Sequence, residues 1–232
     1  MYSSKITGLG YYVPDNVVTN NDLKEFMDTS DEWIQERTGI KERCYVDPGV
    51  GSSDLAIPAT EQALKAADLQ VGDIDFIIFA TSTPDFYAPG SGCLLQEKMG
   101  FNEIGALDIR VQCSGFLYGL SIAEQYIKTG VFDNILLIGA EVQSTAMDLT
   151  DEGRDTAVIF GDGAGTVIIS ATEEDRGILS THMHSEGKYI KELWLESPAS
   201  NAGYPRITSE DLDKGKQYLK MNGKEVFRHA VT

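Results

Sequence analysis

Short runs of apolar and β-branched residues alternate along this chain with longer segments of helical period, and this alternation restricts its fold more than any other feature. Side chains return to one face of a strand at every second residue and to one face of a helix at about every 3.6 residues. Each segment therefore favours one of the two structures, and their alternation is typical of an α/β protein in which helices cover a sheet.

The predicted strands are residues 5–8, 76–81, 106–111, 134–139, 156–160, 165–170 and 177–184. The predicted helices are residues 21–27, 30–37, 54–67, 91–99 and 114–128. Pro58 indicates that the third helix begins later or bends, because proline removes a helical hydrogen bond. A last helix is predicted after Asn222, because Glu225 three residues on completes a capping box.

The connections between these segments predict how they are joined. Asp162 and Gly163 lie between two predicted strands and favour a tight hairpin, because Asp-Gly supplies the positive φ angles of such turns. Residues 173–176 are rich in charge and lack apolar side chains, which predicts a boundary between an N-terminal domain, residues 1–172, and a second domain, residues 173–232.

The C-terminal part of the chain shows little lasting periodicity. Residues 187–216 are rich in Gly, Ser, Pro, Asn, Asp and Lys and predict surface loops. The apolar face that begins at Val226 stops at Thr232, before about three helical turns are complete. We therefore expect the sequence to be cut inside a helix.

Composition excludes several classes of function. The net charge of −17 disfavours binding to nucleic acid and to anionic membranes. No apolar run approaches the roughly 18 residues of a membrane span, and the first residues lack a secretory signal, so a cytoplasmic protein is predicted. The cysteines, Cys44, Cys93 and Cys113, have no metal-ligand spacing and suit free thiols. His182 and His184 share a face of a predicted strand without a third ligand, so no metal site is predicted.

Cys113 lies where an alternating strand, residues 106–111, meets an apolar helix, residues 114–128. A thiol at this junction faces unpaired backbone N–H groups and the positive end of the helix dipole, which favour a thiolate and supply oxyanion donors. The dipole contributes about 0.3–1 kcal/mol, so full activation needs a base or cation as well. The alternative is a small buried residue without chemistry, and Cys44 and Cys93 are interpreted in that way.

Trp33 and Arg37 are four residues apart and share one face of the helix predicted for residues 30–37, which Thr29 caps with Glu32 and Gly39 ends. An aromatic ring beside a guanidinium can hold a nucleobase and a phosphate. The alternative is a tryptophan packed on the core beneath an arginine stem.

The glycine-rich segment at residues 160–165 has the spacing of a dinucleotide-binding turn, but it precedes a strand instead of opening a helix. We therefore interpret it as a tight turn or a place of backbone crowding. Lysines near the C-terminus form a basic stretch, which predicts a solvated face or a surface that guides an acidic partner. Its cations are Lys214, Lys216, Lys220, Lys224 and Arg228.

Five motifs in order and spacing resemble the β-ketoacyl-acyl-carrier-protein synthase III family over essentially the whole chain. They are Thr-Ser-Asp-Glu-Trp-Ile at 29–34, Arg-Thr-Gly-Ile at 37–40, Cys-Ser-Gly at 113–115, Phe-Gly-Asp-Gly-Ala-Gly at 160–165 and Asn-Gly-Lys-Glu-Val-Phe at 222–227. The resemblance implies a thiolase-like layered α/β/α/β/α fold, with the first half complete and the second half partial, in a homodimer.

The resemblance also implies the reaction. An acyltransferase of this family moves an acyl group from acyl-CoA to a cysteine and condenses it with malonyl-acyl-carrier protein after decarboxylation. The product is a 3-oxoacyl-acyl-carrier protein, which initiates fatty acid biosynthesis. Coenzyme A enters as a thioester substrate, and no cofactor is implied.

The same resemblance assigns the site residues. Cys113 takes the acyl group, and its backbone N–H belongs to the oxyanion hole. The positions that hold the nucleotide of coenzyme A are Thr29, Trp33, Arg37 and Arg154. Phe227 matches a wall of the pantetheine tunnel, and Arg228 matches a basic residue that meets the carrier protein. Lys224 replaces an Asn that contacts coenzyme A in many relatives.

The family's catalytic His and Asn belong to a later segment, and His182, His184 and His229 do not match that motif. We therefore expect the 232 residues of this sequence alone to be unable to catalyse the condensation. Two alternatives stay open: a ketosynthase III-like enzyme of secondary metabolism, and a non-catalytic fragment that binds a carrier protein or dimerises.

Overall fold

The computed structural model describes residues 3–175 and 177–231. The strands of these residues are β1 (Ser3–Tyr12), β2 (Asn16–Thr19), β3 (Glu42–Tyr45), β4 (Phe76–Ala80), β5 (Gly105–Ile109), β6 (Asn134–Val142), β7 (Asp162–Thr172), β8 (Leu193–Leu195) and β9 (Leu219–Met221). The helices are α1 (Asn20–Leu23), α2 (Asp31–Thr38), α3 (Ser52–Ala67), α4 (Ser91–Met99), α5 (Gly115–Lys128), α6 (Arg154–Ala157), α7 (Ser209–Asp213) and α8 (Gly223–Val231). None of these helices is long and apolar enough to cross a bilayer.

The chain divides into two compact units. The first unit contains residues 1–15, 46–142 and 162–183, and the second contains residues 16–45, 143–161 and 184–232. The predicted division after residue 172 concerns the two repeated halves of the family's fold, and it stays a prediction.

The first unit is built on a five-stranded mixed sheet in the order β1-β7-β6-β4-β5. β5, β4 and β6 run parallel, so their carboxyl ends meet at one edge, while β7 is antiparallel to both β6 and β1. Successive side chains of a strand point to opposite faces. As a result Phe79 and Leu136 pack under α3 and α4, and Ile78 and Leu137 pack under α5.

β1 approaches α3 closely enough to require glycine. A Cβ at Gly8 would lie 2.1 Å from the carbonyl oxygen of Ala63, and one at Gly10 would lie 2.1 Å from that of Ala59. α3 itself begins at Ser52, before the predicted start, and Pro58 lies within it. The expectation of a later start was wrong, because Asp54 and Asp85 satisfy the backbone N–H groups of Gly51 and Ser53 at its first turn.

The second unit contains two two-stranded sheets, β2-β3 and β8-β9, and the short helices around them. Leu23, Ile34 and Ala157 are fully buried in its core. α1 ends at Leu23, four residues before its predicted end.

Two strand predictions were wrong. Residues 156–160 form no strand, and the helix α6 ends at Ala157. Their apolar run reflects burial of Ala157 and Val158, and periodicity alone cannot separate a short buried strand from a buried helical turn. Residues 177–184 also form no strand, so the common face expected for His182 and His184 does not exist.

The predicted hairpin at Asp162 and Gly163 was wrong as well. Both residues already belong to β7, where they pair with Val142 and Glu141 of β6. Residues 187–216 are not loops throughout, since they contain β8, which pairs with β9, and the helix α7.

Candidate active site

Cys113 lies in the first unit at the carboxyl end of β5, in a single 3-10 turn, Gln112–Ser114, that leads directly into α5. Its side chain is exposed. Gln112 has a φ of 46°, a left-handed conformation that residues other than glycine rarely adopt. The chain thus turns sharply after the strand and presents the thiol at the first turn of a helix of 14 residues.

Several donors of this turn form hydrogen bonds to its own carbonyl groups. Ser114 N–H and Oγ both donate to the carbonyl oxygen of Val111, at 3.3 and 3.1 Å, and Gly115 N–H donates to that of Gln112. Within the described residues the backbone N–H of Cys113 has no such partner. A free N–H beside the sulfur can stabilise negative charge on the oxygen of a thioester that the sulfur attacks.

Small residues hold the start of α5 against the sheet. A Cβ at Gly115 would lie 3.1 Å from the Cβ of Ala80 at the end of β4, and one at Gly119 would lie 2.3 Å from Cδ1 of Leu137 in β6. The helix that follows Cys113 is therefore seated on β4 and β6, which fixes the position of the thiol relative to the strand ends.

Two carboxylates lie on the loop and strand next to this edge. Asp85 accepts hydrogen bonds from the backbone N–H and hydroxyl of Ser53 at the start of α3. Asp108 in β5 accepts from the backbone N–H of Ser91, at the start of α4. Burial raises the pKa of Asp108, against hydrogen bonds that lower it. Burial would also raise the pKa of Asp85, but the hydrogen bonds from Ser53 and Ser91 outweigh it and lower the pKa.

The second unit holds an aromatic and guanidinium cluster. The guanidinium carbon of Arg37 lies 4.5 Å from the centre of the Trp33 ring, and that of Arg154 lies 4.8 Å from it. Trp33 is half-buried and Arg37 is exposed. The helix thus brings together Trp33 and Arg37 as predicted, and α6 supplies Arg154 from a distant part of the sequence.

Two polar atoms near this cluster are buried and have no hydrogen-bond partner in the described part of the chain: Oγ1 of Thr29 and Nε of Arg154. Nη1 of Arg154 donates to the carbonyl oxygen of Asp28 at 2.7 Å, which holds its side chain in place. The predicted cap was wrong by one residue, since Ser30 and not Thr29 accepts the N–H of Trp33. The hydroxyl of Thr29 is therefore available to another acceptor or donor.

Phe227 and Arg228 lie on α8, and both are exposed. Arg228 forms an ion pair with Glu225, which lowers the pKa of that carboxyl. The basic stretch is also largely neutralised: Lys214 pairs with Glu210, and Lys216 and Lys220 pair with Glu196. The local charge is therefore weaker than the lysines alone indicate.

Several features of the two units were not found from the sequence. Cys93 was interpreted as a packing residue, but it is exposed on α4, whereas Cys44 is half-buried in β3. Asp85, Asp108 and Glu141 were not predicted at all, because carboxylates next to strand ends have no spacing signal that distinguishes them from surface acids.

A cleft of about 590 Å³ in the second unit lies between α6 and the segment around β9. None of the residues predicted to bind substrate lines it. Among residues 3–175 and 177–231, no three His, Cys, Asp or Glu side chains are placed to bind a metal ion.

Comparison with known proteins identifies the relatives of this chain. Residues 107–187 match the model of the family described as 3-oxoacyl-[acyl-carrier-protein (ACP)] synthase III. The chain is 46% identical over 232 residues, all of its length and 69% of the relative, to the β-ketoacyl-[acyl-carrier-protein] synthase III of Alkalilimnicola ehrlichii. It is 44% identical to that of Caldanaerobacter subterraneus, with 97% of this chain and 67% of the relative aligned.

The same likeness holds in three dimensions. The crystal structure of 3-oxoacyl-[acyl-carrier-protein] synthase III from Aquifex aeolicus matches with a TM-score of 0.84 and 41% identity, over 97% of this chain and 66% of that one. These comparisons confirm the predicted thiolase-like α/β class. The chain spans about two thirds of the length of these relatives.

Proposed function

The chain belongs to the β-ketoacyl-[acyl-carrier-protein] synthase III family, and from that premise we propose how its residues take part in the condensing reaction. Cys113 accepts an acyl group from acyl-CoA, and the acyl group then condenses with malonyl-acyl-carrier protein to give a 3-oxoacyl-acyl-carrier protein. The pathway is the initiation of fatty acid biosynthesis.

One observation carries this proposal: the exposed thiol of Cys113 lies at the first turn of α5, and its own backbone N–H has no partner among the residues that the structure describes. The cysteine sulfur attacks the thioester carbonyl, and the carbonyl oxygen takes negative charge that this N–H stabilises. The carbon–sulfur bond to coenzyme A then breaks. Coenzyme A leaves with the proton that the thiol gave up, and an acyl thioester remains on Cys113.

In the second step, which the family resemblance assigns to a His and an Asn together with Cys113, decarboxylation of the malonyl group releases CO2 and supplies the carbanion, and this carbanion attacks the acyl carbonyl on Cys113. The new carbon–carbon bond forms as the carbon–sulfur bond to Cys113 breaks. The role of Cys113 here is that of a leaving group, and its exposure at a strand end gives the second substrate access.

For the nucleotide of coenzyme A we propose the cluster in the second unit. Trp33 offers a ring for stacking, and Arg37 and Arg154 offer guanidinium groups for phosphate. The buried, unpaired Oγ1 of Thr29 and Nε of Arg154 support a ligand here, because unpaired buried polar atoms are unfavourable. A nucleobase that inserts between Trp33 and Arg154 would separate two side chains that now contact each other.

The partners on α8 are proposals of the same kind. Phe227 forms a wall for the pantetheine arm, and Arg228 meets the acidic carrier protein; both are exposed. No further cofactor takes part, and the reaction takes place in the cytoplasm. Neither nucleic acid nor a membrane is a partner.

We also propose a homodimer. β5 is the last strand of its sheet, so its outer edge has no strand partner among the described residues. A strand edge with free backbone groups readily pairs with another chain, and a second copy is the partner that the family implies.

The test is acylation of the purified protein with acyl-CoA, followed by intact mass spectrometry. The proposal predicts one acyl adduct in the wild type, none in Cys113→Ser, and an unchanged adduct in Cys93→Ser. The second substitution is the matched control, because Cys93 is also exposed. An adduct that persists in Cys113→Ser would show that another residue is the nucleophile.

A further inference from the structure

Glu141 is the second-last residue of β6. It makes a set of hydrogen bonds that the proposed reaction does not use. One carboxylate oxygen accepts the backbone N–H of Ser82 at 2.8 Å. The other accepts the hydroxyl of Ser82 at 2.7 Å and that of Thr83 at 2.8 Å. Oγ1 of Thr83 in turn accepts the backbone N–H of Val142 at 2.8 Å, so the loop is tied back to the same strand.

The position of these bonds follows from the register of the sheet. β4 and β6 pair in parallel up to Ala80 and Gly139, and two residues further on the same register places Ser82 opposite Glu141. The strand ladder has ended there, and the Ser82 N–H needs another acceptor. The Glu141 carboxylate supplies it, so the chain leaving β4 continues along β6 instead of diverging.

The segment that Glu141 holds borders the turn that carries Cys113. Thr81 N–H donates to the carbonyl oxygen of Ile109, the last residue of β5, and Ala80 is the residue that Gly115 approaches. In parallel sheets, ligands bind outside the carboxyl ends of the strands. Ser82 and Thr83 leave the sheet at that edge, next to the end of β5 and the start of α5.

We propose that Glu141 is a positioning residue that fixes the Ser82–Thr83 segment as a wall for the acyl group on Cys113, and that this wall limits acyl size. The inference rests on the proposed acylation of Cys113. Glu141 does not touch the acyl group, and its effect passes through Ser82 and Thr83.

A purely structural role for Glu141 makes a different prediction. Loss of stability lowers the folded fraction and reduces acylation by every acyl-CoA by the same factor. Displacement of a wall changes the rate for a larger acyl group relative to a smaller one. The ratio of two acylation rates in one sample is therefore the decisive quantity, because the folded fraction cancels in it.

The experiment offers the purified protein an equimolar mixture of acetyl-CoA and isobutyryl-CoA and quantifies both adducts on Cys113 by intact mass spectrometry. The variants are Glu141→Ala, Glu141→Gln and Thr83→Val, with the exposed Glu103→Gln as the matched control. Thr83→Val removes a hydroxyl from the network while leaving Glu141 in place, so it carries the test if Glu141→Ala does not fold.

The expected result is a shift of the adduct ratio toward the isobutyryl group by threefold or more in Glu141→Ala and Thr83→Val. Glu141→Gln restores part of the wild-type ratio, because its amide oxygen still accepts the Ser82 N–H, and the control keeps the whole ratio. An unchanged ratio in the folded variants, with both rates reduced equally, overturns the inference and leaves Cys113 acylation intact. Absence of any adduct in the wild type overturns the proposed function itself.

Discussion

Asp108 accepts the backbone N–H of Ser91 at 2.6 Å, so a side chain from β5 closes the first turn of α4. It also accepts the N–H of Gly92 at 3.0 Å, and a Cβ at Gly90 would lie 2.4 Å from its Oδ1. The carboxyl is enclosed by this turn, and burial raises its pKa. The strand that leads to Cys113 therefore contains a group whose ionisation opposes folding.

The pH dependence of stability should reveal Asp108. Because its pKa is higher in the folded than in the unfolded chain, the folded chain keeps the proton longer, and stability falls as pH rises from about 3.8 through the folded pKa. The free energy of unfolding of the wild type, relative to Asp108→Asn, should decrease across this range and then level off. Urea unfolding of both proteins at a series of pH values measures this. A wild type that becomes more stable relative to Asp108→Asn as pH rises would contradict it.

Asp85 should show the opposite dependence. Hydrogen bonds from Ser53 and Ser91 lower its pKa, so its contribution is complete above about 3.8 and is lost as pH falls through the folded pKa. Asp85→Asn should lower the free energy of unfolding by about 1–3 kcal/mol at neutral pH. The loss should shrink in acid, and urea unfolding of both proteins at a series of pH values measures it; a loss of equal size at every pH would contradict the lowered pKa.

The contact between β1 and α3 should not tolerate a methyl group. In Gly8→Ala the new Cβ meets the Ala63 carbonyl at 2.1 Å, so either the helix or the strand must move, and a loss of about 1–3 kcal/mol or more is expected. Gly139→Ala is the matched control in the same sheet, because a Cβ at Gly139 would meet no atom within 4 Å. Denaturant unfolding compares the two; equal effects would contradict a steric cause.

The Trp33 ring should contribute to coenzyme A binding. Base stacking on an aromatic ring contributes about 1–3 kcal/mol, so Trp33→Ala should weaken binding of free coenzyme A by about 5- to 150-fold. Isothermal titration calorimetry measures this, with Trp194→Phe as the control at the other tryptophan. Unchanged affinity in Trp33→Ala would exclude the ring from the nucleotide site.

Arg154 should matter through its planar group and not through charge alone. Its Nη1 is held by the Asp28 carbonyl, and its Nε is buried and unpaired. Arg154→Lys keeps the charge but loses the Nε donor and the planar face, so coenzyme A affinity should fall toward that of Arg154→Ala. Retention of wild-type affinity in the lysine variant would show that charge alone is sufficient.

The sequence was informative where local pattern and burial agree. The helix α4 has its predicted bounds, and α5 begins one residue after its predicted start, because their periodicity, glycine ends and flanking turns point to the same structure. The family motifs also identified Cys113, Trp33, Arg37 and Arg154, whose roles remain proposals. The strand predicted at residues 156–160 was wrong because its apolar side chains are buried around a helical turn. In so short a segment, buried apolar residues fit the period of a strand and that of a helix equally well.

The sequence by itself determined the long strands and helices of the first unit and the placement of one thiol between a strand and a helix, because both depend on neighbours in the chain. Only the tertiary structure decided which side chains act on distant backbone. Glu141 meets Ser82, and Arg154 meets Trp33, because sheet register and packing bring together residues that are far apart in sequence. Hydrogen bonds and ring contacts act over a few ångströms of space, and sequence spacing carries no measure of that distance.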